Sequence, residues 1–228
     1  MAFAQTAIQP IPELSAPPRR VADSSPMQSI GSVCHFARNR TIFSDGDAAL
    51  YAYRVLSGAV RLVKLMADGR RHIAGFQLSG DLFGLEWSSE YTLTAEAVSD
   101  VVLVRYARNT LDRLGDERVD VRRQLTDRLK ADLREAHAHL ISLGCQSAKE
   151  RVASFLLHLA RREEQDATIE VPMGRQDIAD YLGLTIETVC RTLTELKDVQ
   201  VIAIPSRHQI AIRDFDRLES IADCGSDA

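Results

Sequence analysis

Between about Ser29 and Tyr106, short β-favouring runs alternate with turn signals. Thr41–Phe43 is followed by Asp45-Gly46-Asp47, and Ala52–Leu56 by Ser57-Gly58. Val60–Leu65 is followed by Ala67-Asp68-Gly69, and Ile73–Gln77 by Ser79-Gly80-Asp81. Two more runs, Tyr91–Val98 and Val101–Tyr106, are split by Ser99-Asp100. Strands this short and this closely spaced predict an antiparallel roll or barrel. The period then changes. Asp120–Leu143 contains no Gly or Pro, and Leu129, Leu133, Ala136, Leu140 and Leu143 recur at alternating steps of four and three. That stripe is the seam of a two-helix coiled coil; an amphipathic helix packed on its own domain is the alternative. Gly144 suits the helix end, and a further helix, Ala148–Glu164, carries Val152, Phe155, Leu156 and Leu159 on one face. Upstream, residues 1–27 hold Pro10, Pro12, Pro17, Pro18 and Pro26 without periodicity, which predicts a flexible arm.

The stretch Arg175–Lys197 predicts two short helices around a tight turn. Ile178 and Leu182 face inward on the first, and Ala179 is small where the second helix must cross closely. Gly183 gives the backbone freedom for the turn, and Thr185 is a good cap for a helix from Ile186 to about Lys197. At about 100° per residue, Ile186, Val189, Leu193 and Leu196 share a buried face. Glu187, Thr188, Arg191, Thr194 and Glu195 point the other way, with Cys190 at the border. In a nucleic-acid groove Arg can donate two hydrogen bonds to guanine, and Glu can accept from cytosine. Val201–Ile204, a turn at Pro205–His208, and Gln209–Ile212 complete a two-stranded wing.

Composition tempers this only slightly. The 228 residues carry a net charge of −4, and Arg175, Arg191, Lys197, Arg207 and Arg213 are offset by nearby acids. DNA binding must therefore rest on geometry rather than bulk charge. Cys34, Cys145, Cys190 and Cys224 show neither paired nor zinc-ligand spacing, so free thiols are expected rather than metal or disulfide sites. No run is long enough to span a bilayer, and the first residues lack a secretory pattern, so the cytoplasm is the default. Nucleophile-elbow, P-loop and metal motifs are lacking too, which argues against an enzyme.

Over roughly residues 29–215 the chain resembles the CRP/FNR superfamily of bacterial transcription factors. Within that span GRQDIADYLGLTIETVCR resembles the reading motif of the FNR branch, which has a serine where this chain has Cys190. Ile186 also matches that branch, where cyclic-AMP receptors carry an Arg. The resemblance implies an α+β fold: an N-terminal antiparallel β-roll of the cyclic-nucleotide-binding type, a long dimerisation helix and a C-terminal winged helix-turn-helix. The expected partition is arm 1–27, roll 28–118, helix 119–144 and DNA-binding domain 145–228. The resemblance assigns base contacts to Glu187, Cys190 and Arg191, and phosphate contacts to Arg175, Gln176, Thr185 and Thr188. The implied partners are a second copy of the chain, RNA polymerase and double-stranded DNA. The DNA would be a palindrome of TTGA-type half-sites about one helical turn (~34 Å) apart.

The family's effector sites are not legible. An iron–sulfur cluster of four thiolates has only Cys34 before Cys145 to draw on. A nucleotide cassette pairs Gly-Glu with Arg-Ser about ten residues later. Here Gly80-Asp81 is followed by Glu90-Tyr91-Thr92-Leu93-Thr94, without the guanidinium that phosphate needs. His137 and His139 point to different faces of their helix, so no haem ligand stands out. Gly80 and Gly84 read as turn residues, and Arg122, Arg123, Arg128, Lys130 and Arg134 as the solvated sides of the helix. The expectation is a FixK-type homodimeric regulator, an activator without cofactor. Alternatives are a ligand-sensing roll acting on a partner protein and a haem- or nucleotide-responsive regulator. Cys190 is either a small contact residue or a redox-sensitive thiol, whose oxidation would place negative charge against the DNA backbone.

Overall fold

The computed structural model describes residues 30–162 and 167–223. The expected arm, the end of the helix drawn to Glu164, and Cys224 lie outside them. Eight strands come first: β1 (Ser32–Phe36), β2 (Thr41–Phe43), β3 (Tyr51–Ser57), β4 (Val60–Leu65), β5 (Arg71–Gln77), β6 (Leu82–Phe83), β7 (Thr94–Ala97) and β8 (Val101–Ala107). They form two antiparallel four-stranded sheets, β1-β8-β3-β6 and β2-β7-β4-β5. Alternate residues point between the sheets, where Phe43, Tyr53, Val55, Val60, Phe83 and Leu103 share one core.

Tyr91–Val98 does not form one strand. Only Thr94–Ala97 joins the ladder, and Glu90 makes a single bridge to Ala48. The cause is Tyr91, which leaves the strand path to stack on Phe43 at 3.7 Å and donate its hydroxyl to the Tyr51 carbonyl at 2.6 Å.

Helix α1 (Arg108–Glu117) and the start of α2 (Val119–Cys145) cover the outer face of the first sheet. Ala52, Leu82, Val104, Tyr106, Leu111 and Val121 form the core there. Val121 is the one fully buried residue of α2, and Leu125 packs beside it against the same core. No helix among the described residues is long and apolar enough to cross a membrane.

The remaining elements are α3 (Ala148–Arg162), β9 (Thr168–Glu170), α4 (Arg175–Leu182), α5 (Ile186–Asp198), β10 (Ile202–Ser206), β11 (Gln209–Ile212) and α6 (Phe215–Asp223). The wing is a three-stranded sheet, β10-β11-β9, rather than a two-stranded one. Helix α3 is the central beam of this part, with Val152, Phe155, Leu156 and Leu159 buried as their spacing predicts. Its core is continuous with the roll, because Ala59 and Val98 belong to the same cluster and Phe76 and Leu78 pack against it.

One basic residue of α2 departs from expectation. Arg122, Arg123, Lys130 and Arg134 are exposed, but Arg128 is half-buried and donates to Asp81 at 2.8 Å. Asp81 is only 3 % exposed and also meets Arg162 of α3 at 2.6 Å. A buried carboxylate needs such partners, and this one draws α2 and α3 onto the roll together.

Candidate nucleic-acid interface

Helices α4 and α5 are set by three local devices. Asp177 accepts from the Gly174 amide at 3.4 Å, which satisfies a donor at the N-terminal end of α4. Gly183 ends that helix at φ +63°, the left-handed region where a glycine carries no side-chain penalty. Thr185 then caps α5, its hydroxyl accepting from the Thr188 amide at 3.2 Å. Val189, Leu193 and Leu196 are buried against the α4 side, where Ile178, Ala179 and Leu182 are buried as well. Ile186 is partly buried, as fits the first turn.

The opposite face of α5 is uncommitted. Glu187, Cys190, Arg191 and Thr194 follow each other at helical spacing and are all exposed. Arg191 reaches Glu195 only at 4.0 Å, between two well-exposed side chains, an arrangement that contributes little. Thr194 donates to the Cys190 carbonyl at 3.0 Å, and Cys190 is a free, exposed cysteine. Thr188 is partly buried, its hydroxyl 3.1 Å from that of Thr185.

Arg175 and Gln176 open α4 beside this stripe. Gln176 is exposed and donates to Asp180 at 2.7 Å. Arg175 is partly buried, and its Nη1 is shut off from solvent without a hydrogen-bond partner among the described residues. Burial pushes its pKa down, with Arg207 of the wing turn adding to the effect and Cys190 opposing it. Arg175, Arg207 and Cys190 thus share one electrostatic neighbourhood, and an unpaired guanidinium there is a donor in search of an anion.

The seam of α2 is divided. Leu133 and Leu140 are 56 % and 65 % exposed, and Ala136 is exposed too. Leu129 and Leu143 are partly covered by their own chain, Leu143 lying beneath the Gly183 turn.

One residue that positions the reader, Arg151, is not marked in the sequence. Arg151 donates to the carbonyls of Leu143, Gln146 and Leu182 at 2.8, 2.9 and 3.1 Å, tying the end of α2 to the end of α4. Its charge sits where two helix dipoles favour a cation. No local pattern marks it, because its partners are backbone atoms of helix ends distant in sequence.

Residues 150–221 match the model of the Crp-like helix-turn-helix domain, and residues 33–118 that of the cyclic nucleotide-binding domain. The chain is 44 % identical over 198 residues to the nitrogen fixation regulation protein FixK of Azorhizobium caulinodans, covering 85 % of this chain and 80 % of that one. It is 40 % identical to the FixK protein of Bradyrhizobium diazoefficiens, over 88 % of this chain and 86 % of the other. The solved structure of FixK2 from Bradyrhizobium japonicum superposes with a TM-score of 0.81 at 38 % identity, covering 84 % of this chain and 97 % of that one.

The roll's residues do not fit a cyclic nucleotide. Gly80 and Gly84 have φ of +92° and +77° and serve as turns. The Asp81 carboxylate is taken up by Arg128, Arg162 and the Leu78 amide. Where the phosphate partner would follow, Tyr91 is in the core, and Phe43, Tyr53, Phe83 and Tyr91 pack ring on ring through the roll's interior.

Proposed function

The chain belongs to the FixK branch of the CRP/FNR superfamily, DNA-binding transcription regulators rather than enzymes, and we propose that it reads a palindrome as a homodimer. The observation that carries this reading is the exposed, uncommitted stripe Glu187–Cys190–Arg191 on a helix whose other face is buried. Glu187 and Arg191 would make the base contacts, with Cys190 between them against a sugar or a thymine methyl. Arg175, Gln176, Thr185 and Thr188 would hold phosphates and set the register. The unpaired Nη1 of Arg175 supports that role.

The exposed Leu133, Ala136 and Leu140 support a parallel seam with a second copy, near the coiled-coil spacing. In this reading residues 28–118 form the roll, 119–144 the dimerisation helix and 145–228 the DNA-binding domain. The target has TTGA-type half-sites, one per protomer and about one turn (~34 Å) apart, as two-fold docking requires. Bound there, the dimer activates transcription by contact with RNA polymerase. Oxidation of Cys190 releases it, because a fixed negative charge on the reading face opposes the electrostatic attraction to DNA.

Fluorescence anisotropy on a TTGAT–N4–ATCAA duplex tests the central point. Binding that is tight, specific over a scrambled duplex and unaffected by cyclic AMP is expected. Failure to distinguish the palindrome from the scrambled duplex would reject it.

A further inference from the structure

The roll grips the DNA-reading domain through a charged cluster that joins residues more than a hundred positions apart. Arg61 of β4 donates through Nη1 to both oxygens of Asp177, at 3.1 and 3.2 Å. Arg71 of β5 donates through Nη2 to Asp177 at 2.8 Å and through Nε to Asp180 at 2.8 Å. Arg61 is braced from behind by Glu96 of β7 at 2.8 Å. Asp177 is 7 % exposed, so the cluster is no surface decoration.

Two carboxylates in it serve both docking and reading. The Asp177 carboxylate that receives the arginines also caps the Gly174 amide. The Asp180 carboxylate that receives Arg71 also holds Gln176. Gln176, one of the candidate phosphate contacts of the proposed function, is therefore bonded to the grip, and Arg175, another, directly follows the capped Gly174. Buried ion pairs add little net stability compared with apolar contacts, but breaking one leaves uncompensated charge, so they act chiefly on geometry.

From this arrangement we infer that Arg61 and Arg71 are positioning residues for DNA reading. Through Asp177 and Asp180 they fix the angle of α4 and α5 against the roll. In a two-fold dimer that angle sets the distance between the two reading helices, and so the half-site spacing that is accepted. The inference rests on the proposed function for its DNA consequence, but not for the grip itself.

The test uses the full chain with Arg61→Ala/Arg71→Ala and, as a conservative control, Arg71→Lys. Anisotropy is measured on duplexes whose half-sites are one or two base pairs closer or farther apart than N4. Wild type should prefer N4 sharply. In the double variant the Kd on N4 should rise about tenfold, as when only roughly a tenth of molecules hold the competent pose, and the preference among spacers should flatten. Arg71→Lys should fall between the two.

A second readout needs no DNA. Spin labels at Asp112→Cys and Ser220→Cys, with the four native cysteines replaced by serine, report the distance between the roll side and the reading domain. The double variant should broaden that distribution. An unchanged distribution, or an affinity loss equal at every spacer, overturns the inference and reduces the cluster to glue. Should wild type bind no palindromic duplex, the proposed function fails, and the distance distribution alone decides: broadening upholds the grip, and no change rejects it.

Discussion

His139 of α2 lies flat on Tyr181 of α4, with ring centroids 4.1 Å apart and planes 3° from parallel. Phe76 of β5 and Phe155 of α3 close around the same phenol at 5.4 and 5.8 Å. Roll, long helix and reading domain thus meet at one ring, two residues before the Gly183 turn. Burial pushes the Tyr181 hydroxyl's pKa up to about 12, so it stays neutral.

That contact gives the docked arrangement a pH dependence. Burial pushes the pKa of His139 down, and the neighbouring His72 pushes it further. Its Nε2 is shut off from solvent with no hydrogen-bond partner among the described residues. The folded molecule therefore favours the neutral ring, whereas the unfolded chain takes up its proton near pH ~6.5. The contribution is complete above that value and is lost as pH falls below it. The unfolding midpoint of the wild type should drop between pH 7.5 and 6, and His139→Phe, which keeps the stack, should flatten that slope. Identical slopes for the two proteins would refute the assignment.

Base and phosphate contacts separate by how their loss depends on sequence and salt. Arg191→Ala and Glu187→Ala should each cost roughly 1–3 kcal/mol on the matched half-site and relax discrimination at one base pair. Gln176→Ala should instead weaken all duplexes evenly and leave the salt slope unchanged, because a neutral amide releases no counterion, whereas Arg175→Ala should also lower that slope by about 1. Anisotropy titrations at several salt concentrations, on matched and single-substituted duplexes, check both. A Glu187→Ala variant that still discriminates fully at every position would remove Glu187 from the base-reading set.

The reading helices were legible because their determinants are local: the Ile178–Leu182 and Val189–Leu196 spacings, Gly183 and Thr185 act within one turn of where they stand. The Leu129–Leu143 stripe was legible for the same reason, and α2 spans Val119–Cys145 around it. Strand β1 was missed because it is a sheet edge with little to bury; Val33 is 59 % exposed. Helix α1 offers only Leu111 and Gly115 as buried positions, too few to declare a period. Strand β9 is three residues long and is defined by its pairing with β11 rather than by its own pattern. Arg128 looked like one more solvated cation on a basic helix, since its partner Asp81 lies 47 positions away. Arg61, Arg71 and Asp177 were hidden for the same reason: ion pairs between distant elements leave no spacing to read.

The seam can be tested without disturbing the fold of a single chain. Leu133 and Leu140 are exposed in the protomer, so charges there are tolerated locally. In a dimer each leucine contributes roughly 1.5–3 kcal/mol when fully buried, and facing like charges would add repulsion. Leu133→Asp/Leu140→Asp should therefore sediment as a monomer at micromolar concentration with unchanged helical content, and should lose preference for the palindrome over one half-site. A variant that sediments as a dimer would place the interface elsewhere.

Cys190 and Cys34 set up an internal control for oxidation. Cys190 is exposed on the reading stripe, whereas Cys34 is half-buried, its thiol directed to the Leu103 carbonyl at 3.6 Å. Burial pushes the pKa of Cys34 up, which keeps it in the unreactive thiol form. Cys145 is exposed at the end of α2, outside the stripe. Peroxide should carry Cys190 to sulfinic or sulfonic acid and so place a negative charge among the candidate DNA contacts. Against a phosphate about 4–5 Å away at an effective dielectric near 20, that charge costs roughly 3–4 kcal/mol. Such a cost is more than about a hundredfold in Kd. Treated wild type should lose the palindrome, Cys190→Ser should keep it, and Cys145→Ser should behave as wild type. Cys190→Asp should match the oxidised protein without any oxidant. Equal loss in wild type and Cys190→Ser would move the sensitivity to another residue and leave Cys190 as a contact alone.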